Sequence, residues 1–408
     1  MTTVPCDAAP ERQRTAAAWE VLFIFLRLGI TCFGGPIAHI GYFRNEFVVR
    51  RRWLDERAYA DLVGLCQFLP GPASSQVGFS IGLIRAGYLG GVAAWIGFTL
   101  PSAFVLVLFA YSASALAGPI GLGLLHGLKL VAVAIVAQAM WGMARTLCPD
   151  RVRGSIAVIA ALTILLITSP FAQIGAIAIG GVIGLWFCRA IAPSDSGHVA
   201  TPVSRRVGAA ALLVFVVLLS APLILGRHGA PGGFSLFNAF YQSGALVFGG
   251  GHVVLPLLQE AFVIPGFVSN DAFLAGYGAA QAVPGPLFTF AAYLGVIIKL
   301  PPHGVAGAFL ALLGIFLPGI LILIGVLPFW DSFRSRPAAQ AVMRGVNASV
   351  VGLLGAALYT PVWTSAVKSS DDFGLALVGF ALLTLWRAPP LVVVVLSAVG
   401  GIVLGQIA

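Results

Sequence analysis

Charged residues are scarce in this sequence. Asp, Glu, Lys and Arg together make up 9% of its 408 residues, against about 25% in a water-soluble domain, which excludes an ordinary cytosolic fold. Cysteine is sparse as well. Cys6, Cys32, Cys66, Cys148 and Cys188 form no Cys-x-x-Cys pair, so neither a disulfide framework nor a metal site is expected. No GxxxxGK[ST] loop occurs, which excludes ATP hydrolysis by this chain, and no nucleophile and base or ligand cluster stands out; the reading is a non-enzyme without a cofactor. Residues 1–18 contain Glu11, Arg12 and Arg14 and lack a small-residue cleavage site behind a short apolar core, so no removable signal peptide is expected. The ten-residue alternation of outer-membrane strands is also missing.

Long apolar runs fill the chain instead. Hydrophobic residues reach 59% and the mean hydropathy is +0.99, which predicts an all-α polytopic membrane protein. Fifty glycines and 25 prolines are tolerated in membrane helices because neighbours satisfy the freed backbone groups, and they predict broken or re-entrant segments. The net charge of +9 could suggest nucleic acid, but the Lys and Arg residues lie in short loops and not on one face, which points to membrane topology.

The sequence repeats itself. Residues 46–72 align without a gap to 260–286, sharing Glu46/Glu260, Val49/Val263, Ala58/Ala272, Gly64/Gly278, Gln67/Gln281 and a complete Pro-Gly-Pro. Upstream, Phe33-Gly34-Gly35-Pro36 matches Phe248-Gly249-Gly250-Gly251; downstream, GFTLPS from Gly97 matches GIFLPG from Gly314. Three matches in the same order indicate a duplication. Arginine placement then orients the copies, because Lys and Arg in short loops stay cytoplasmic. Segment 44–57 carries Arg44, Arg50, Arg51, Arg52 and Arg57, whereas 258–271 carries none; 112–126 carries none, whereas 330–344 carries Arg334, Arg336 and Arg344. The expectation is an inverted-topology tandem repeat, as in many secondary transporters.

This gives a cytoplasmic segment 1–18, a first membrane repeat 19–192, a linker 193–233 with an inverting transmembrane helix, and a second repeat 234–408. Crossings are expected at about 88–111, 119–145, 152–169, 171–192, 207–226, 303–328, 336–362, 371–386 and 388–407. The arms around Pro70-Gly71-Pro72 are too short to span, so 58–84 reads as a re-entrant hairpin, with an equivalent tip at Pro284-Gly285-Pro286. Parity makes the two Phe-Gly segments hairpins too. The predicted location is the cytoplasmic membrane of a bacterium, with the N-terminus inside and the C-terminus outside.

A helix restarting at such a break presents unpaired N–H groups and a partial positive charge, which suits an anion. The candidate oxyanion ligands are Gly34, Gly35, Pro36, Pro70, Gly71, Pro72, Ser74, Ser75, Gly249, Gly250, Gly251, Pro284, Gly285, Pro286 and Thr289. Close helix packing by small residues is the competing explanation for any one glycine. Arg27 and Lys129 are cations inside apolar segments, where charge usually marks a pathway; snorkelling to the interface is the alternative. His39 and His252 are proton-coupling candidates because histidine titrates nearest neutrality, and Glu46 with Glu260 join them as repeat equivalents.

FGGPIAHI at 33–40, QFLPGP at 67–72, FGGGHVVLPLL at 248–258 and QAVPGP at 281–286 resemble the paired motifs of the chromate ion transporter family, long two-domain bacterial form. That resemblance implies a secondary transporter that exports chromate on the proton-motive force and confers chromate resistance, with protons and the lipid bilayer as partners. Sulfate is a similar tetrahedral dianion, so a sulfate or other oxyanion carrier stays open. A non-transporting membrane scaffold or receptor is the reading from another class, and whether copies associate as a homo-oligomer is open.

Overall fold

The computed structural model describes residues 11–33, 35–113, 118–167, 172–189, 202–225, 232–248, 251–330 and 336–407, and among these every regular element is helical. Gly34, Gly249, Gly250, residues 1–10 and most of the linker lie outside the described residues. The first repeat runs α1 (Glu11–Thr31), α2 (Gly35–Phe43), α3 (Glu56–Phe68), α4 (Ala73–Ala113), α5 (Pro119–Leu147), α6 (Arg151–Leu166) and α7 (Ala172–Phe187). After α8 (Arg205–Leu225), the second repeat runs α9 (Gly232–Ala245), α10 (Val254–Phe262), α11 (Asn270–Ala282), α12 (Phe290–Ile297), α13 (Gly304–Val326), α14 (Pro337–Ala357), α15 (Ser370–Thr384) and α16 (Pro390–Ile407).

The repeated sequence produces repeated local structure. Asp55 caps α3 by accepting from Ala58 N–H, and its equivalent Ser269 caps α11 by accepting from Ala272 N–H, each satisfying a donor with no intrahelical partner. Both helices stop before a proline. Leu69 and Val283 take extended backbone, as the residue preceding proline must. Pro101 in α4 and Pro318 in α13 occupy matching places inside long helices.

Ala73–Ser112, Ile120–Leu147, Gly304–Phe329 and Pro337–Ala366 are long and apolar enough to cross a membrane. The first is two arms. Backbone at Ala86 and Gly87 leaves the helical region, and a Cβ on Gly82 would fall on the Gly90 carbonyl, so 73–85 folds back along 88–113. The expected crossings at 152–169 and 171–192 fold as α6 and α7 of 16 residues each, about 24 Å of helix.

Ion pairs fix where the first broken segment begins and ends. Arg51 binds Glu20 of α1 at 3.2 Å and Glu46, just past α2, at 2.7 Å, so α1 and α2 leave from and return to one place. Arg85, where the short arm of α4 ends, binds the other Glu20 oxygen at 3.1 Å. Trp53 lies beneath both guanidinium groups, a cation–π arrangement. Thus the segment from Glu20 to Glu46 returns to the end it left, the hairpin that crossing parity predicts, and Arg85 shares an end with the arginine-rich loop.

The repeats interlock. α5 packs on α15 and α16, while its equivalent α14 packs on α6 and α7. The seams match residue by residue: Gly127 abuts the Ser397 carbonyl and Gly123 abuts Ile402, whereas Gly345 abuts Gly180 and Gly184 lies against the Ala341 carbonyl. Small residues four apart let the backbones approach, as membrane packing requires. Elsewhere Tyr111 at the far end of α4 lies beside Gly304 at the start of α13, and Trp330 beyond α13 donates to Asp61 of α3.

Candidate functional site

The four breaks meet. Gly71 N–H of the first Pro-Gly-Pro donates to the Val247 carbonyl, just before the second Phe-Gly segment, at 2.7 Å; Gly285 N–H of the second Pro-Gly-Pro donates to the Cys32 carbonyl, just before the first, at 2.9 Å. Cys32 and Val247 are repeat equivalents, as are Gly71 and Gly285. Each tip also leans on the proline kink of the other repeat. A Cβ on Gly71 would lie 2.9 Å from Gly319 Cα, and one on Gly285 would lie 2.8 Å from Ser102 Oγ. Both glycines have positive φ, 114° and 102°, which other residues rarely adopt. Pro36 and Gly251, equivalents again, touch each other across the centre.

Polar side chains surround the tips, mostly from the first repeat. Gln76 donates to the carbonyls of Pro70 and Gly319, both at 2.9 Å, locking the first tip to α13. Ser74 Oγ lies 3.4 Å from His39 Nδ1, and Thr289 Oγ1 donates to the Pro286 carbonyl at 2.7 Å. Ser75 Oγ, Gln76 Oε1 and Thr99 Oγ1 are buried with no hydrogen-bond partner. Leaving such a group unsatisfied costs about 1–3 kcal/mol, so polar atoms without protein partners at the breaks suit a polar occupant. The helices restarting at Ala73 and Phe290 carry their positive N-terminal ends beside it.

Comparison with known proteins supplies the deciding observation. The family model described as chromate transporter matches residues 19–185 and again 234–402. The chain belongs to the chromate transporter family. The chromate transport protein of Pseudomonas aeruginosa is 27% identical over 97% of this chain and 94% of its own length. The probable chromate transport protein of Synechococcus elongatus is 26% identical over 93% of each. The uncharacterized transporter YwrA of Bacillus subtilis is 29% identical over 41% of this chain, yet over 96% of its own length. A relative of one-repeat length and two separate family matches agree with the tandem repeat. No solved structure matches the chain. A chromate transporter family member with apolar spanning helices is a multi-pass membrane protein.

In this family member the predicted site residues divide into two groups. Gly35, Pro36, Pro70, Gly71, Pro72, Ser74, Ser75, Gly251, Pro284, Gly285, Pro286 and Thr289 gather at the breaks. The predicted cations do not join them. Arg27 is exposed on the same side of α1 as Phe23 and Ile30. Lys129 stretches to Asp271 at 3.1 Å, with Asp271 71% exposed. His252 Nδ1 lies 2.7 Å from the Tyr277 hydroxyl. Glu46 is at the arginine cluster: burial alone would raise its carboxyl, but hydrogen bonds from Arg51 and Arg50 hold it below the ordinary value. Its equivalent Glu260 has no such cation among the described residues, and burial pushes it up.

Ser102 is the tip contact that motif reading misses. Its signal was a polar residue inside an apolar helix, next to the Pro101 break.

Proposed function

We propose that this chain carries chromate out of the cell across the bacterial cytoplasmic membrane as a secondary transporter driven by the proton-motive force, and so confers chromate resistance. The observation that carries the reading is the reciprocal closure of the four breaks, Gly71 on Val247 and Gly285 on Cys32. It concentrates restarting helices, Ser74, Ser75 and Thr289 around one point, which suits a tetrahedral dianion whose oxygens need several donors at once. Lys129, on the helix beside α11, exchanges Asp271 for the passing anion. Arg27 serves at the membrane-facing flank. His39, against Ser74, is the proton-coupling group nearest the first tip, with His252, Glu46 and Glu260 as further relay positions.

The repeats are inverted in the membrane in this reading, with nine crossings and four broken segments. Support comes from equivalent helices running oppositely: the far end of α4 meets the start of α13, and the end of α13 returns to α3. Alternating access then follows from one repeat rocking against the other around the shared point.

Proteoliposomes with an imposed pH gradient test the whole reading. Gradient-dependent chromate flux is expected, and a gradient that moves no chromate through verified, folded protein defeats it. Sulfate that saturates the carrier far below chromate reassigns the substrate to sulfate. A scaffold would show flux in neither case.

A further inference from the structure

The interlock builds one place twice, with opposite chemistry. In one copy, His126 of α5 meets Asp372 of α15 at 2.6 Å, and Asp372 also accepts from the Lys368 and Ser369 N–H groups. There the imidazole has a carboxylate partner. In the other copy, Arg344 of α14 takes the place of His126, and Arg153 in the first turn of α6 takes the place of Asp372. A cavity of about 430 Å³ opens there, lined by Arg151, Arg153, Arg189, Arg344, Asp150 and Phe187. Among the described residues four guanidinium groups face one carboxylate, and that carboxylate is engaged with Arg153 at 2.7 Å.

We propose that this cavity binds the phosphate of an anionic phospholipid headgroup. Arg344 is held ready, its guanidinium donating to the Cys188 carbonyl at 2.9 Å and to Gln340, which orients it without neutralising it. The 16-residue helix α6 begins at the cavity, adding its positive end. A lipid is preferred to a free anion because the wall is amphipathic. Phe187 lines the cavity and is 70% exposed, and Trp186 beside it is 71% exposed. Aromatic residues at a helix end mark headgroup depth, and basic pockets between membrane helices at that depth suit anionic headgroups. The proposal is independent of which oxyanion is transported.

Binding by native mass spectrometry of the full chain in detergent tests it, with phosphatidylglycerol, phosphatidylcholine and inorganic phosphate as separate probes. Phosphatidylglycerol is expected to bind in preference to phosphatidylcholine. Arg151→Gln with Arg189→Gln should weaken it about 25-fold, from two surface cations lost. The doubly lysine-substituted variant should recover most of the affinity, which separates lost charge from lost folding. Equal binding of the two lipids, or an unchanged affinity in the glutamine variant, overturns the proposal. Tight binding of inorganic phosphate that displaces the lipid overturns it too, by making the occupant a free anion.

Discussion

The outer ends of the two broken pairs invite comparison. In the first repeat, Glu20, Glu46, Arg50, Arg51 and Arg85 form a linked set of ion pairs around Trp53. In the second, the corresponding end is closed by apolar packing: the tilted rings of Phe240 and Phe262 lie with centroids 4.4 Å apart, and Val268 and Ile298 are buried. The polar closures there are neutral, Gln259 to Asn270 at 3.2 Å and Lys299 N–H to the Phe267 carbonyl at 3.2 Å. The same backbone plan is thus held by charge at one end and by burial at the other. Sequence divergence has changed the fastening and kept the meeting of the tips. The end held by charge responds to salt and loosens in acid as Glu46 is protonated; the end held by burial carries no such salt-sensitive fastening and responds to pH only through Glu260.

The most damaging change should be one that strikes what the repeats share. Gly71→Val and Gly285→Val each force a β-branched residue into positive φ, costing about 1–3 kcal/mol, and drive side-chain atoms into Gly319 or Ser102. Both variants should lose chromate flux almost completely, and to similar extents. A Gly285 variant with full flux would break the equivalence of the tips.

Next in size is the fastening itself. Arg51→Ala leaves Glu20 and Glu46 facing each other without their shared cation, and the expected destabilisation is about 1–3 kcal/mol, since the pair is only partly exposed. Its equivalent, Pro265→Ala, should change thermal stability far less. Equal losses in the two variants would mean that the ion pairs contribute little.

Acidification sharpens the comparison further. The folded Glu46 carboxyl lies below its ordinary value of 4.5, so its contribution is present above 4.5 and fades as the pH falls through the lower folded value. Glu260 is shifted upward by burial, so its contribution is present below the ordinary value and is lost as the pH rises through the raised one. Melting temperatures followed through the acid range should therefore fall less steeply in Glu46→Gln, while Glu260→Gln should gain stability near neutrality.

The smallest stability effect belongs to Lys129→Gln. Its partner Asp271 is largely exposed, so less than about 1 kcal/mol is expected, together with a clear fall in chromate flux. A variant with unchanged flux would leave Lys129 a membrane-edge ion pair and nothing more.

Much of this was legible in the sequence because glycine and proline act locally. Pro70-Gly71-Pro72 announces its break through φ and a missing donor, and the matching run at Pro284 makes it a plan. The Phe-Gly segments were harder, since residues 19–43 are long enough to span. Their return is decided by Arg51 reaching Glu20, a contact across 31 positions that no local pattern encodes. Where the cations end was hidden for a related reason. Arg27 and Lys129 sit in apolar runs, but a long flexible side chain need not end where its backbone does, and Lys129 ends at Asp271. The interlock was present only as spacing. Gly123 with Gly127, and Gly180 with Gly184, show a seam on each helix without saying which helix fills it.

That interlock bears on how the protein is made. When α5 leaves the ribosome, α15 and α16, which will cover its glycine seam, are still to come at the far end of the second repeat, so the seam waits beside lipid or an assembly factor while the intervening helices are inserted. The reverse holds for α14, which arrives to find α6 and α7 already in place. A nascent chain stopped before α15 therefore already holds all four breaks in a bundle that cannot yet close, and α15 with α16 acts as the latch of synthesis.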